Sequence, residues 1–335
     1  MTPHDATVPA DAAPVTQSAD HAPRATHDPR LPAHSPFYFV QLTDLHIRAP
    51  GVLAYRKVDT AHYLRQAVAH VSTLNPAPAA VVVTGDLVDQ GSVEEYQHLQ
   101  ALLAPLPMPI FLLVGNHDGR EGLRAVFDAP YLRQNGEFVQ YTVDIGGNDG
   151  SNGAPQCKPV RLIALDTLEP GRSGGFLCEA RLAWFETALE NARGLPVVVA
   201  LHHPPFVTGI GHMDEAVLDA ASSARLAEII ARHPNVERVI AGHLHREIHA
   251  RFGGTIVSTA GSTAHQVCLD LRDAAPSAFT MEPPTAVLHR WQPAPGLPVD
   301  PRTGLNGGLV SHLSYLAHYD GPYPFHDANG ALIDQ

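Results

Sequence analysis

IFLLVGNHD, residues 110–118, runs five apolar residues into a glycine and then into Asn116, His117 and Asp118. A short apolar run without polar alternation is the pattern of a strand buried on both faces. The polar tip marks where such a strand gives way to a loop. The same arrangement recurs on either side. Upstream are FYFVQLTDLH at 37–46 and AVVVTGD at 80–86; downstream are VRLIALD at 160–166, PVVVALHH at 196–203 and VERVIAGHLH at 236–245. Helical patterns separate many of these runs. DTAHYLRQAVAHVSTL (59–74) puts Tyr63, Leu64, Ala67, Val68 and Val71 on one face. SVEEYQHLQALLA (92–104) opens with Ser92 and Glu95 at capping-box spacing. CEARLAWFETALENA (178–192) and SSARLAEIIARH (222–233) complete the set. Strands alternating with helices predict an α/β fold with parallel or mixed sheets.

Residues 1–35, rich in Ala, Pro, His, Asp and Thr without apolar periodicity, read as a disordered N-terminal arm. The main domain is expected over 36–270. Beyond residue 250, GTIVSTAGS, TAHQVCLDL, TAVLHRWQ and LVSHLSYLAHY read as strands joined by Pro- and Gly-rich loops, with 272–284 and 292–308 the clearest loops. They are expected to supply the second sheet's antiparallel strands, with residues 271–335 as strands and an extension that complete or cap the domain. The segment at 146–159 reads as a surface hairpin tip.

The formal net charge is −12, and hydrophobic residues make up 44%. Such a balance suits a folded enzyme and disfavours a grip on a nucleic-acid backbone, which needs clustered Lys and Arg. No apolar run is long enough for a membrane span, and the first residues lack a secretory pattern. Three scattered cysteines without a CxxC pattern fit free thiols in a reducing compartment, so a cytoplasmic location is expected.

The chemistry gathers where the apolar runs stop. Five of the six end at Asp44/His46, Asp86, Asn116/His117/Asp118, His202/His203 and His243/His245. In open α/β sheets, ligands bind beyond the carboxyl ends of strands, so these loops are expected to meet. Carboxylate, amide oxygen and imidazole suit Fe, Mn, Zn or Co, and the absence of cysteine argues against a structural zinc site. Asp44, His46, Asp86, Asn116, His202, His243 and His245 are too many for one four-coordinate ion. They suit two divalent metal ions sharing a carboxylate, an arrangement that can clamp both oxygens of a phosphoryl displacement.

The ordered series D-x-H, G-D, G-N-H-D, H-H-P and G-H-x-H, spanning about residues 36–265, resembles the calcineurin-like metallophosphoesterases. Within that superfamily HHPP (202–205), GIGHMD (209–214) and AGHLHR (241–246) resemble the bacterial class III cyclic-nucleotide phosphodiesterases and their glycerophosphodiesterase relatives. The resemblance implies a four-layer αββα sandwich of two mixed β-sheets flanked by helices. It implies one metal on Asp44, His46, Asp86 and His245, and a second on Asp86, Asn116, His202 and His243, with Asp86 bridging. It gives His117 a catalytic role at the leaving oxygen, with Asn116 and His117 against the substrate; His203, next to a ligand, reads as either a substrate-pocket residue or a packing residue. Asp118 is expected to orient His117, and Gly85, Gly115 and Gly242 to permit tight turns. Arg48 and Arg246, beside ligands, read as surface or ion-pair residues. The expected activity is hydrolysis of small phosphodiesters, 3′,5′-cyclic nucleotides such as cAMP or glycerophosphodiesters, by attack of a metal-bound hydroxide. A phosphomonoesterase, weakly suggested by Arg120 after the GNHD motif, or a nuclease of the same superfamily is the alternative. Neither a membrane nor a nucleic-acid polymer is expected as partner, and a homodimer or higher homo-oligomer fits the resemblance.

Overall fold

The computed structural model describes residues 36–147, 157–293 and 299–333. The expected arm at 1–35 lies outside these residues, as do the tip of the 146–159 segment and the middle of the 292–308 loop.

Each buried run forms its strand. In the first sheet β1 (Phe37–Leu42), β2 (Ala80–Val83) and β3 (Ile110–Leu112) run parallel. Helices α1 (Thr60–Thr73) and α2 (Val93–Leu103) are the crossovers. Ser92 and Glu95 form the reciprocal capping box that their spacing predicts, so two donors at the start of α2 are satisfied locally. A third helix, α3 (Arg120–Val126), follows β3. In the second sheet β4 (Tyr141–Ile145) pairs antiparallel with β5 (Val160–Ala164). Then β6 (Val197–Ala200) and β7 (Val236–Ala241) continue parallel to β5, with α4 (Glu179–Glu190), the short α5 (Gly211–Asp214) and α6 (Ala220–Ala231) in the connections. The hairpin of β8 (Ile248–Phe252) and β9 (Thr255–Thr259) closes that sheet, with β9 parallel to β7.

The side-chain period of two sorts the strands between layers. Leu162 and Ala164 of β5, Val198 and Ala200 of β6 and Ile240 of β7 join the apolar cluster of β1, β2 and β3. Their neighbours Ile163, Val197, Val199, Val239 and Ala241 pack instead with Leu182, Phe185 and Leu189 of α4 and Leu226, Ile229 and Ile230 of α6. On the other side α1 and α2 add Leu64, Ala67, Val68, Val71, Tyr96, Leu99 and Leu103 to the first cluster. Each such aliphatic side chain contributes about 1.5–3 kcal/mol by leaving water. Two mixed sheets lie face to face with helices outside, the four-layer sandwich that the resemblance implies. Tyr63 is only half-buried, so the buried stripe of α1 is narrower than its sequence pattern.

The C-terminal strands depart from expectation. They do not all join the second sheet. A small ribbon of β10 (Gln266–Val267) and β11 (Phe279–Thr280) stands apart, and its second strand lies inside the segment read as a loop. After it β12 (Thr285–Pro293) and β13 (Gly307–Tyr315) return to the first sheet, giving the order β13-β12-β1-β2-β3. The buried Gln41 of β1 explains why β12 belongs there. Its amide nitrogen donates to Thr84 Oγ1 and to Ala241 O of the other sheet, both at 3.0 Å, and its oxygen accepts from His289 Nε2 of β12 at 3.0 Å. A buried amide costs stability unless satisfied, and β12 supplies the missing donor.

Candidate active site

The carboxyl ends of the parallel strands of both sheets face one region. Asp44 N donates to Gly85 O (3.1 Å), and His46 N to Asp86 O (3.0 Å), so the loops after β1 and β2 run side by side. Five of the expected ligands hold a left-handed backbone: Asp44 (φ 52°), His46 (45°), Asp86 (48°), His243 (71°) and His245 (48°). Among the described residues only Tyr55 and Arg56 share this trait without being glycine. Left-handed non-glycine residues cost about 1–2 kcal/mol each, and such strain concentrates where function fixes geometry.

Two neighbouring glycines make room for ligands rather than for turns. A Cβ at Gly115 would lie 2.3 Å from Asp86 Oδ1, and one at Gly242 would lie 2.1 Å from Thr43 Oγ1 and 2.8 Å from Asp44 Oδ2. Neither needs a positive φ. Gly85 (φ 94°) does, so of the three only it has the conformational freedom expected of a turn glycine.

The side chains converge. Asp44 and Asp86 are buried, and Asp86 Oδ2 lies 3.3 Å from His202 Nε2 and 3.7 Å from His46 Nε2. Asp44 Oδ1 lies 3.3 Å from His245 Nε2, and Asn116 Oδ1 lies 3.2 Å from His202 Nε2. Two of the histidines have a fixed tautomer, because Nδ1 of His202 donates to Thr84 O (2.8 Å) and Nδ1 of His245 donates to His265 O (2.9 Å). The nitrogen left on each, Nε2, is the one turned to the carboxylates, the outer-layer orientation typical of metal-binding imidazoles.

A divalent cation is tested by what these atoms lack. His46 Nε2 and His245 Nε2 stand 3.1 Å apart, while His245 Nδ1 already carries its proton to a carbonyl. His243 Nε2 is buried with no partner at all. Burial, then the neighbouring His202, push the His243 imidazole down to about 3, so it stays neutral with a lone pair free. Burial also opposes charge on Asp86, but His202 outweighs it and holds the carboxyl well below its ordinary range. Groups drawn from Asp44, Asp86 and His202, from His46, Asp86 and His117, and from His202, His203 and His243 can each place ligand atoms within 4.8 Å of one another. Buried lone pairs without donors and two carboxylates among imidazoles fit resident cations.

His117 sits at the rim. Its backbone N donates to Asp86 Oδ1 (3.0 Å), and its ring Nδ1 donates to Asp89 O (2.9 Å), which leaves Nε2 as the ring nitrogen available to a substrate. Burial depresses its basicity, but Asp86 and then Asp89 outweigh that and hold it above the ordinary histidine range. Asp89 was not among the expected residues, and it takes the part expected of Asp118. Asp118 instead accepts from Gly115 N (2.8 Å), Leu87 N (3.1 Å) and Tyr96 Oη (2.9 Å), tying two ligand loops together. The contact is made by the main-chain carbonyl of Asp89, so the residue type carried no signal for it.

His203 does not reach the substrate side. It is wholly buried, its Nε2 donates to Ser173 O (3.1 Å), and its Nδ1 accepts from Thr167 Oγ1 (2.8 Å). Although near His202 and His243, it has no nitrogen to spare, and it does not line the pocket over the centre. That pocket, about 680 Å³, is floored by His46, Asp86, Asn116, His117, His243 and His245. Its upper walls include His212 and Met213 of α5 and a residue unforeseen in the sequence, His265. Arg48 and Arg246 are the ion-pair residues expected, on Asp89 and Glu282. Arg120 binds Asp166 through Nε (2.6 Å) and Nη2 (2.8 Å) and is not free to meet a phosphate.

A family model described as calcineurin-like phosphoesterase matches residues 37–247, the span that carries every one of these ligand candidates. The chain belongs to the calcineurin-like phosphoesterase family. A probable glycerophosphodiester phosphodiesterase of Arcobacter nitrofigilis is 36% identical over 296 residues, covering 88% of this chain and 99% of that one. A probable cyclic nucleotide phosphodiesterase of Rhodopseudomonas palustris is 37% identical over 249 residues, covering 73% and 85%. A crystal structure of a dimetal phosphatase from Danio rerio shares the calcineurin-like fold at TM-score 0.52 and 16% identity, over 76% of this chain and 96% of that one. The family is metal-dependent, and among the described residues no helix is long and apolar enough to cross a membrane.

Proposed function

We propose that this phosphoesterase hydrolyses small phosphodiesters, cyclic nucleotides or glycerophosphodiesters, at two divalent ions held by the seven strand-end residues. Asp44, His46 and His245 would hold one ion, Asn116, His202 and His243 the other, and Asp86 both. The observation that carries the reading is the buried, partnerless His243 Nε2 beside the converging Nε2 atoms of His46, His202 and His245. Ions bound there would supply Lewis acidity at the phosphoryl oxygens and lower the pKa of the attacking water. The chain's own contribution is geometric and protic. Asn116, at the pocket floor, is placed to steady a phosphoryl oxygen. His117 Nε2 is placed to hold a proton for the departing alkoxide, with Asp89 O fixing the ring through Nδ1.

Charge favours a diester over a monoester. The pocket is lined by no Lys or Arg among the described residues. A diester carries one negative charge and a monoester nearly two, and beyond the proposed ions and His117 the lining offers no Lys or Arg to answer the second. The kcat/KM for bis-p-nitrophenyl phosphate is therefore expected to exceed that for p-nitrophenyl phosphate by about tenfold or more with added Mn²⁺, about 1.4 kcal/mol of transition-state preference. A monoester preference would overturn the diesterase reading, and steady digestion of plasmid DNA would favour a nuclease. The three free cysteines support a cytoplasmic location. Metal analysis tests the proposed ions, drawn from Fe, Mn, Zn and Co, and sedimentation tests the proposed homo-oligomer.

A further inference from the structure

Tyr55 occupies a position that its side chain disfavours. Ala54 and Val58 exchange backbone hydrogen bonds at 2.9 Å, and between them Tyr55 (φ 50°) and Arg56 (φ 57°) form the tip of a tight turn with two left-handed residues in succession. Turns of that kind prefer Asn and Gly, and a bulky aromatic there is an outlier. Core burial does not offset the strain, because Tyr55 remains 54% exposed. The turn itself is anchored, with Ala54 and Val58 packed on Ala264, Tyr63 and Phe279. What the conformation achieves is to set the Tyr55 ring in the pocket wall above the metal-competent floor. There it lies 5.2 Å from the Phe279 ring, tilted by 33°, and 5.2 Å edge-on from His265. His265 in turn lies 4.7 Å from the His245 ring.

From this geometry we infer that Tyr55 and Phe279 form a stacking wall for a planar aromatic group carried by the diester, as in a nucleoside cyclic phosphate, and so set substrate preference. The inference rests on the proposed diesterase activity. A half-exposed aromatic surface in the wall of the same pocket as the ligand candidates gains most from a ring, since stacking depends on π-faces and not on a particular hydrogen-bond pattern. A glycerol or ethanolamine ester offers no such face. Glycerophosphodiesters would bind through the floor alone.

The test compares ring-bearing with ring-free diesters. The ratio of kcat/KM for 3′,5′-cyclic AMP to that for glycerophosphoethanolamine is measured in the Mn²⁺-loaded full chain and in Tyr55→Ala, Tyr55→Phe and Phe279→Leu. Tyr55→Ala is expected to lower the ratio about tenfold through KM, Phe279→Leu to lower it less, and Tyr55→Phe to restore most of it. An unchanged ratio in Tyr55→Ala, or equal losses on both substrates, would overturn the stacking wall. Binding of 5′-AMP by calorimetry separates the two readings. Wild-type protein that hydrolyses neither diester defeats the proposed function. The wall then stands or falls on whether Tyr55→Ala weakens 5′-AMP binding about tenfold while Tyr55→Phe does not.

Discussion

Asp86→Ala is expected to lower kcat on bis-p-nitrophenyl phosphate by about 10³-fold or more, roughly 4 kcal/mol of lost transition-state stabilisation. Asp86 is the carboxylate that reaches both halves of the site. One of its oxygens lies between His202 Nε2 at 3.3 Å and His46 Nε2 at 3.7 Å, and the other accepts the His117 amide. Removing it takes a negative charge from beneath the two proposed cations and frees the backbone that carries His117. The fold should persist, because the residue joins no apolar cluster and its strand ends three residues earlier. Circular dichroism checks the fold while the rate is measured. A variant within about tenfold of wild type would remove Asp86 from the centre.

Gly115→Ala is expected to cost both activity and stability without replacing a single functional side chain. The added methyl would sit 2.3 Å from Asp86 Oδ1, 2.6 Å from Asp86 N and 2.7 Å from His202 Nε2. The backbone atom cannot swing aside, so the loop after β3 must move. Overpacking of this kind costs about 1–3 kcal/mol, and displacement of a reacting group by 1 Å costs about 10²-fold in rate. Gly308→Ala in β13 is the matched control, since its Cβ meets nothing within 4 Å. Thermal melts and steady-state rates on the two variants check this. Equal behaviour would contradict the close packing of the ligand loops.

The strand-and-helix frame was legible because each strand of the parallel core is buried on both faces and each crossover helix carries one apolar stripe. The ligand set was legible because it falls at strand ends, a place that topology brings together whatever the loops do. Residues whose role depends on the path of a loop were not. His203 follows a ligand candidate in sequence, yet in the bend beyond β6 its two ring nitrogens turn to Thr167 and Ser173. Asp89, His265 and Tyr55 come from three different loops, and no spacing rule links them. The glycines were read as turn formers, but two of the three are small because carboxylates press on them. That β12 and β13 pair with the first sheet is not legible in the sequence, because a late antiparallel strand can pair with an edge of either sheet. The buried amide of Gln41 and its partner His289, with Ala286 and Trp291 packed in the first apolar cluster, tie β12 to that edge.

The central claim is that the seven strand-end residues hold two divalent ions. Metal analysis of wild-type protein and the Asp86→Ala variant, each dialysed to equilibrium with Mn²⁺, tests it most directly. Two ions per wild-type chain and a clear loss of bound metal in Asp86→Ala are expected. One ion or none in the wild type, or full loading of Asp86→Ala, would contradict it.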